Sequence, residues 1–277
     1  MKKLLLGTCA AVLLMGQSAP PKASPEVALW RLDCGSVQVN DLNAFSDTLA
    51  YTGRGYRLTS SCYLIRHGDD YMLWDTGLPA MLAGAKQNAT DAMSPTLAAT
   101  IPDQLARIGV KPEQIGRVGI SHYHFDHIGQ ASAFPAATLL IGKGDLDALK
   151  SGAPGVNAAP LEHWVKGTGK SEGVTGDKDV FGDGSVVMMN LPGHTPGHHG
   201  LLVRLKGKGP VLLSGDVVHF TENFTTSGVP GFNTDRADSL ASIDRFRKLG
   251  AALKATVIIQ HEPADIAKLP AFPASAR

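Results

Sequence analysis

The segment His122-Tyr123-His124-Phe125-Asp126-His127 places four metal-ligating side chains within six residues, directly after the apolar run Arg117-Val118-Gly119-Ile120. An apolar run of that length reads as a strand, and its end is where a rigid scaffold delivers side chains to one rim. In an extended segment His122 and His124 fall on the same side, while Asp126 and His127 begin the next element and turn toward a second point nearby. The spacing therefore suits two adjacent metals. Imidazole and carboxylate together fit zinc, and also iron, cobalt or manganese. A lone histidine would more often be a core or capping residue. The chain holds only 10 histidines in 277 residues, too few to make so dense a cluster by chance.

Three more candidate ligands stand where strand-like runs end. His194 lies in the turn Leu191-Pro192-Gly193-His194-Thr195-Pro196-Gly197-His198, Asp216 in Leu213-Ser214-Gly215-Asp216, and His261 after Val257-Ile258-Ile259-Gln260. Around them the pattern predicts strands over 27–39 (interrupted at Gly35), 138–141, 186–191, 200–205, 210–214 and 255–260. A hairpin joins 61–67 to 71–75 through Gly68-Asp69-Asp70. Helices are predicted over 97–108, stopped by Gly109, over 145–150, and over 234–249. In the last, Thr234 is the cap, Asp235 lies in the first turn and Gly250 ends it. Residues 80–95 show no clear period and read as a loop that could border a site; 151–183, rich in Gly and Pro without strong periodicity, reads as a long functional or mobile loop. Sheets covered by helices on the outside are the expected architecture.

Charge narrows the function. With 26 basic against 25 acidic residues and no run of five like charges, a nucleic-acid partner is not expected. At the N-terminus, Lys2 and Lys3 precede the apolar run Leu4–Met15, and small residues follow at Ser18, Ala19 and Ala23. This is the pattern of a signal peptide over 1–23, leaving 24–277 as one domain that works in the periplasm or is secreted. The run is too short to span a membrane, which takes about 20 apolar residues. Cys9 falls inside that run. The remaining Cys34 and Cys62 read as two buried thiols acting as small hydrophobes, although an oxidising compartment permits a disulfide between them.

The order H-x-H-x-D-H, G-H-T-x-G-H, S-G-D and a final histidine resembles the metallo-β-lactamase fold superfamily across essentially the whole chain after residue 23. The resemblance implies an α/β protein, an αββα sandwich with a dinuclear metal site at one edge of the sheets. It implies one metal on His122, His124 and His194, the other on Asp126, His127 and His261, and Asp216 between them. The segments Leu32-Asp33-Cys34-Gly35, Ser61 to His67, Leu73-Trp74-Asp75-Thr76-Gly77-Leu78 and Gln260-His261-Glu262-Pro263 are similar to the N-acyl-homoserine lactonase branch. That branch implies a small-molecule acyl lactone as substrate, two divalent ions such as zinc, and, by analogy, a homodimer. A secreted phosphotriesterase similar to methyl parathion hydrolase, a class B3-like β-lactamase, a mono-iron sulfur dioxygenase and a non-catalytic metal-binding module stay open as alternatives.

One departure matters: familiar lactonases carry Tyr three residues after the bridging Asp, and here that position is His219. A histidine can donate to a developing oxyanion, so the expected catalytic residues are Asp126, relaying a proton, and His219. The attacking group is expected to be a metal-bridging hydroxide, since no G-x-S-x-G elbow is present. His198 and His199 read as residues that orient ligands, His67 and His163 as surface histidines. Phe220, Phe224 and Phe232 read as core residues that could instead line an acyl pocket.

Overall fold

Strand runs with one polar face can satisfy their apolar face only against another layer, and this chain does so three times over. The computed structural model describes residues 25–277. The signal peptide expected over 1–23, with Cys9, lies outside the described residues. In chain order the strands are β1 (Val27–Val39), β2 (Tyr56–His67), β3 (Asp70–Trp74), β4 (Met93–Thr96), β5 (Ile115–Ile120), β6 (Thr138–Gly142), β7 (Ser171–Val174), β8 (Lys178–Asp179), β9 (Val186–Asn190), β10 (His199–Leu205), β11 (Gly209–Leu213) and β12 (Thr256–Ile258). The α-helices are α1 (Ile101–Arg107), α2 (Phe125–Ile128), α3 (Lys143–Ser151), α4 (Glu162–Val165), α5 (Thr221–Thr226) and α6 (Arg236–Leu253).

One sheet runs β4-β1-β2-β3-β5-β6-β7 and the other β12-β11-β10-β9-β8. Alternation along each strand sorts the core into layers. Tyr63, Ile65, Met72 and Trp74 face Met188, Leu201, Val203 and Leu213 between the sheets. Leu64, Leu73 and Val118 on the other face of the first sheet pack on Ile101, Leu105, Leu146 and Leu149 of α1 and α3. Leu202 and Leu212 pack outward on Ile243 and Phe246 of α6. The result is the αββα sandwich. No helix among the described residues is long and apolar enough to cross a membrane.

Four expectations need correction, the first being the loop over 80–95, where β4 begins at Met93 and pairs with β1. Cys34 and Cys62 form a disulfide, with Cα atoms 5.8 Å apart. The β1–β2 register pairs Leu32 with Cys62 beside a bulge between Asp33 and Ser36, and that fold-dependent closeness cannot be seen in spacing. In α6 the cap is Asp235, whose side chain accepts from Asp238 N, and Gly250 is buried inside the helix, which runs on to Leu253. The segment 151–183 is not all loop: it holds α4, β7 and β8, and Trp164 is fully buried with its indole N–H on Ala137 O.

Candidate metal centre

Each candidate ligand leaves the rim of a sheet. His122 and His124 follow β5, His194 follows β9, Asp216 follows β11 and His261 follows β12; Asp126 and His127 lie in the short α2, which His124 caps. The turn at Asp216 depends on Gly215, whose φ is +52° and whose missing Cβ would sit 2.6 Å from His198 Nε2. His198 in turn accepts from the Asp216 backbone N–H at 2.8 Å and places its Nδ1 2.9 Å from Leu191 O. It positions the carboxylate from behind. His199 contacts the carbonyls of Gly197 and Gly176 instead.

The structure brings the seven residues together in two groups, His122, His124, His194 and Asp216 in one, Asp126, His127 and His261 in the other. In the first, His122 Nε2, His124 Nδ1 and His194 Nε2 are 2.9 to 3.2 Å apart. Asp216 Oδ2 lies 3.6 Å from His122 Nε2 and 3.5 Å from His194 Nε2. Its other oxygen, Oδ1, lies 3.3 Å from His127 Nε2 and 3.0 Å from His261 Nε2. Asp126 Oδ2 completes the second group at 3.8 and 3.6 Å from the same two nitrogens. Asp216 thus offers one oxygen to each group.

Hydrogen-bond supply tests whether metals fit. Three imidazoles give Nδ1 to an acceptor oxygen: His194 to Asn233 Oδ1 (2.8 Å), His127 to Asp75 Oδ2 (2.9 Å) and His261 to Thr59 O (2.6 Å). Nδ1–H donates in each, so Nε2 presents a lone pair. Those lone pairs converge, and Asp216 Oδ1 is buried with no hydrogen-bond partner. Lone pairs facing one another need a cation between them. Donors about 2.0–2.1 Å from a tetrahedral zinc lie about 3.3 Å from each other, and the separations here bracket that edge. The donor set fits two such ions.

Electrostatics agree. Burial pushes the imidazoles of His122, His124 and His194 below their ordinary range. Burial acts the same way on His127 and His261, but Asp216 and Asp126 outweigh it and hold both above that range. Burial would raise Asp216 too, yet His261, His127 and His219 keep it well below the carboxylate range. The second group demands positive charge, whether proton or metal.

Three residues that the sequence reading gave no role hold this arrangement. Asp75 is fully buried and accepts from Ser121 N and Oγ (2.7 and 2.9 Å), Gln260 Nε2 (2.6 Å) and His127 Nδ1. Asn233 and the Thr59 carbonyl orient His194 and His261. Asp75 stood inside a lactonase-like segment, which was its only signal; a backbone carbonyl carries none. His219 Nε2 lies 3.2 Å from Asp216 Oδ2, and its Nδ1 is buried without a partner. A cavity of about 300 Å³ opens on Asp126, Asp216, His219 and His261, walled by Val37, Val39, Phe45, Leu58, Met93, Phe125 and Phe232. Of the three phenylalanines flagged in sequence, Phe232 lines it, Phe220 is buried behind Phe45, and Phe224 packs on Phe246. His67, paired with Asp183, and His163, in α4, lie outside the two groups.

The family model described as the metallo-beta-lactamase superfamily matches residues 55–261. The chain belongs to this superfamily. It is 30% identical over 188 residues to N-acyl homoserine lactonase AttM of Rhizobium radiobacter, covering 61% of this chain and 68% of the relative. To the AttM lactonase of Azorhizobium caulinodans it is 25% identical over 259 residues, covering 86% and 94%. Its fold is similar to that of an N-acyl homoserine lactone hydrolase solved with N-hexanoyl-L-homoserine at its catalytic metal center, with TM-score 0.77, 24% identity and coverage of 91% and 99%. It is also similar to AidC, a dizinc quorum-quenching lactonase, with TM-score 0.66, 19% identity and coverage of 92% and 91%.

Proposed function

We propose that this metallo-beta-lactamase superfamily member opens the ring of N-acyl-homoserine lactones and so quenches quorum signals. The observation that carries the reading is the apolar cavity opening directly on the shared carboxylate of two metal-fit groups. Relatives named N-acyl homoserine lactonases support it.

Two zinc ions held by the seven residues would supply Lewis acidity and a water acidified toward neutral pH. His122, His124 and His194 would hold one ion and Asp126, His127 and His261 the other, with Asp216 offering one oxygen to each group. The cavity walls take the acyl chain and exclude water from it, leaving the lactone carbonyl over Asp216. His219 brings a donor nitrogen to the meeting point of the two groups and stabilises charge on the carbonyl oxygen. Asp126, the more exposed carboxylate of the pair, takes a proton from the water that adds to the carbonyl carbon and passes it to the ring oxygen as the ring C–O bond breaks.

The test is one preparation assayed on homoserine lactones of several chain lengths, a cephalosporin and an aryl phosphotriester. Lactones should give the highest kcat/KM, rising with chain length as each buried CH₂ contributes up to about 0.8 kcal/mol. A tenfold preference for either competitor overturns the assignment. His219→Phe should lower kcat on lactones by about tenfold; an unchanged kcat removes His219 from the mechanism.

The site of action proposed is outside the cytoplasm, after loss of about 19 to 23 residues. The Cys34–Cys62 disulfide supports an oxidising compartment. N-terminal sequencing of protein from its host should find that shortened chain, and a form still starting at Met1 refutes the idea.

A further inference from the structure

The β1–β2 ribbon has two faces. Val37, Val39 and Leu58 line the apolar cavity, while the alternate residues Ser36, Arg57 and Thr59 face a separate pocket of about 320 Å³. Arg31 and Arg57 both line that second pocket. Arg31 pairs across the ribbon with Tyr63 in the middle of the register, and Arg57 with Gln38 near one end. Their side chains lean toward each other along it. Arg31 Nε donates to Ser61 Oγ (2.8 Å), opposite Asp33, and Arg57 Nε and Nη2 donate to Ser36 Oγ (3.1 and 2.9 Å), opposite Thr59.

Neither guanidinium has a charge partner. Among the described residues, no carboxylate oxygen lies within 4.0 Å of either; every arginine ion pair uses another arginine. Asp33 shares the pocket rim, but its Oδ1 is turned back on Gly35 N–H at 3.1 Å. The hydroxyls of Ser36 and Thr96, 3.2 Å apart, add neutral hydrogen-bonding groups to the wall. Two unpaired guanidinium forks in a concave, hydroxyl-lined pocket suit a tetrahedral oxyanion, which accepts several N–H bonds at once.

We propose that Arg31 and Arg57 form a binding site for a phosphate-type oxyanion, separate from the metal centre. It lies against the strand that sets one metal ligand. Thr59, in the pocket wall, donates its backbone N–H to His261 O at 3.0 Å and accepts His261 Nδ1–H at 2.6 Å. An anion seated there rests on the peptide that orients His261.

Two measurements test the site on the full, zinc-loaded protein. Crystals grown without sulfate or phosphate are soaked in selenate, whose anomalous signal locates the anion; density between the two guanidinium groups is expected. Calorimetric titration with inorganic phosphate should show saturable binding that weakens at least tenfold in the Arg31→Gln/Arg57→Gln variant. Turnover of that variant in phosphate-free buffer should stay within about twofold of the parent. Selenate density confined to the metal centre overturns the proposal even where the variant fails to fold. So does phosphate binding that is unchanged in a folded variant.

Discussion

Asp75 shows how much one side chain can determine. It sits at the end of β3 with a φ of +58°, an uncommon conformation that Asp and Asn tolerate better than most residues. From there its two oxygens tie together Ser121 at the end of β5, Gln260 beyond β12 and His127 in α2. Asp75→Asn keeps shape and backbone tolerance but replaces a charged acceptor by an amide that must also place a donor. Zinc affinity, read by competition with a chromogenic chelator, should fall by about 10- to 100-fold while the circular dichroism spectrum is retained. Elemental analysis of the parent should give about two ions per chain. The seven candidate ligands were legible because ligand chemistry is written in side-chain type and these side chains end apolar runs. Thr59 was not legible, since any residue brings a carbonyl. Nor were Val37 and Leu58, which look like every other strand residue until the ribbon is folded.

Elements meet most closely where α3 reaches the His194 turn. A Cβ on Gly142 would fall 1.8 Å from Gly197 O, so helix and turn pack backbone on backbone. Asp145, in the first turn of α3, closes the contact by accepting Thr195 Oγ1–H at 2.8 Å and Gly197 N–H at 2.6 Å. Burial raises its carboxyl from the usual 3.8 to about 7, against the lowering effect of those two donors. The folded chain therefore holds this proton more tightly than the unfolded one. The associated stability is full below about pH 4 and is lost as pH climbs to about 7. Asp145→Asn removes that titration. Between pH 4 and 7, the unfolding free energy of the parent should fall relative to that of the variant, as measured by urea denaturation; parallel curves would count against the assignment. At this scale the sequence reading placed most strands and helices because their periods are strong. Boundaries slipped where two residues competed for one role, as Thr234 and Asp235 did for the α6 cap, or where tertiary packing overrode a local stop, as at Gly250, whose missing Cβ would meet Val257 at 2.8 Å.

For the whole molecule, the disulfide joins residues 28 positions apart on neighbouring strands of the larger sheet. Closing a loop of that length removes unfolded-state freedom equivalent to about 3–4 kcal/mol. The Cys34→Ser/Cys62→Ser variant should lose about that much in urea unfolding, and a loss under 1 kcal/mol would show that the bond does not constrain the unfolded chain. Sequence could not reveal this bond, because its formation depends on a register that exists only after folding. The spread of the candidate ligands has a consequence in time. They run from His122 to His261, and the two groups share Asp216 from the later sheet. No early fragment of the chain holds a full set, so metal capture cannot nucleate folding as it does in small zinc modules. The ions must enter a chain whose two sheets have already met. Loading is then a separate bimolecular event, set by the free metal concentration wherever folding finishes, and the supply of active enzyme follows the metal content of that compartment.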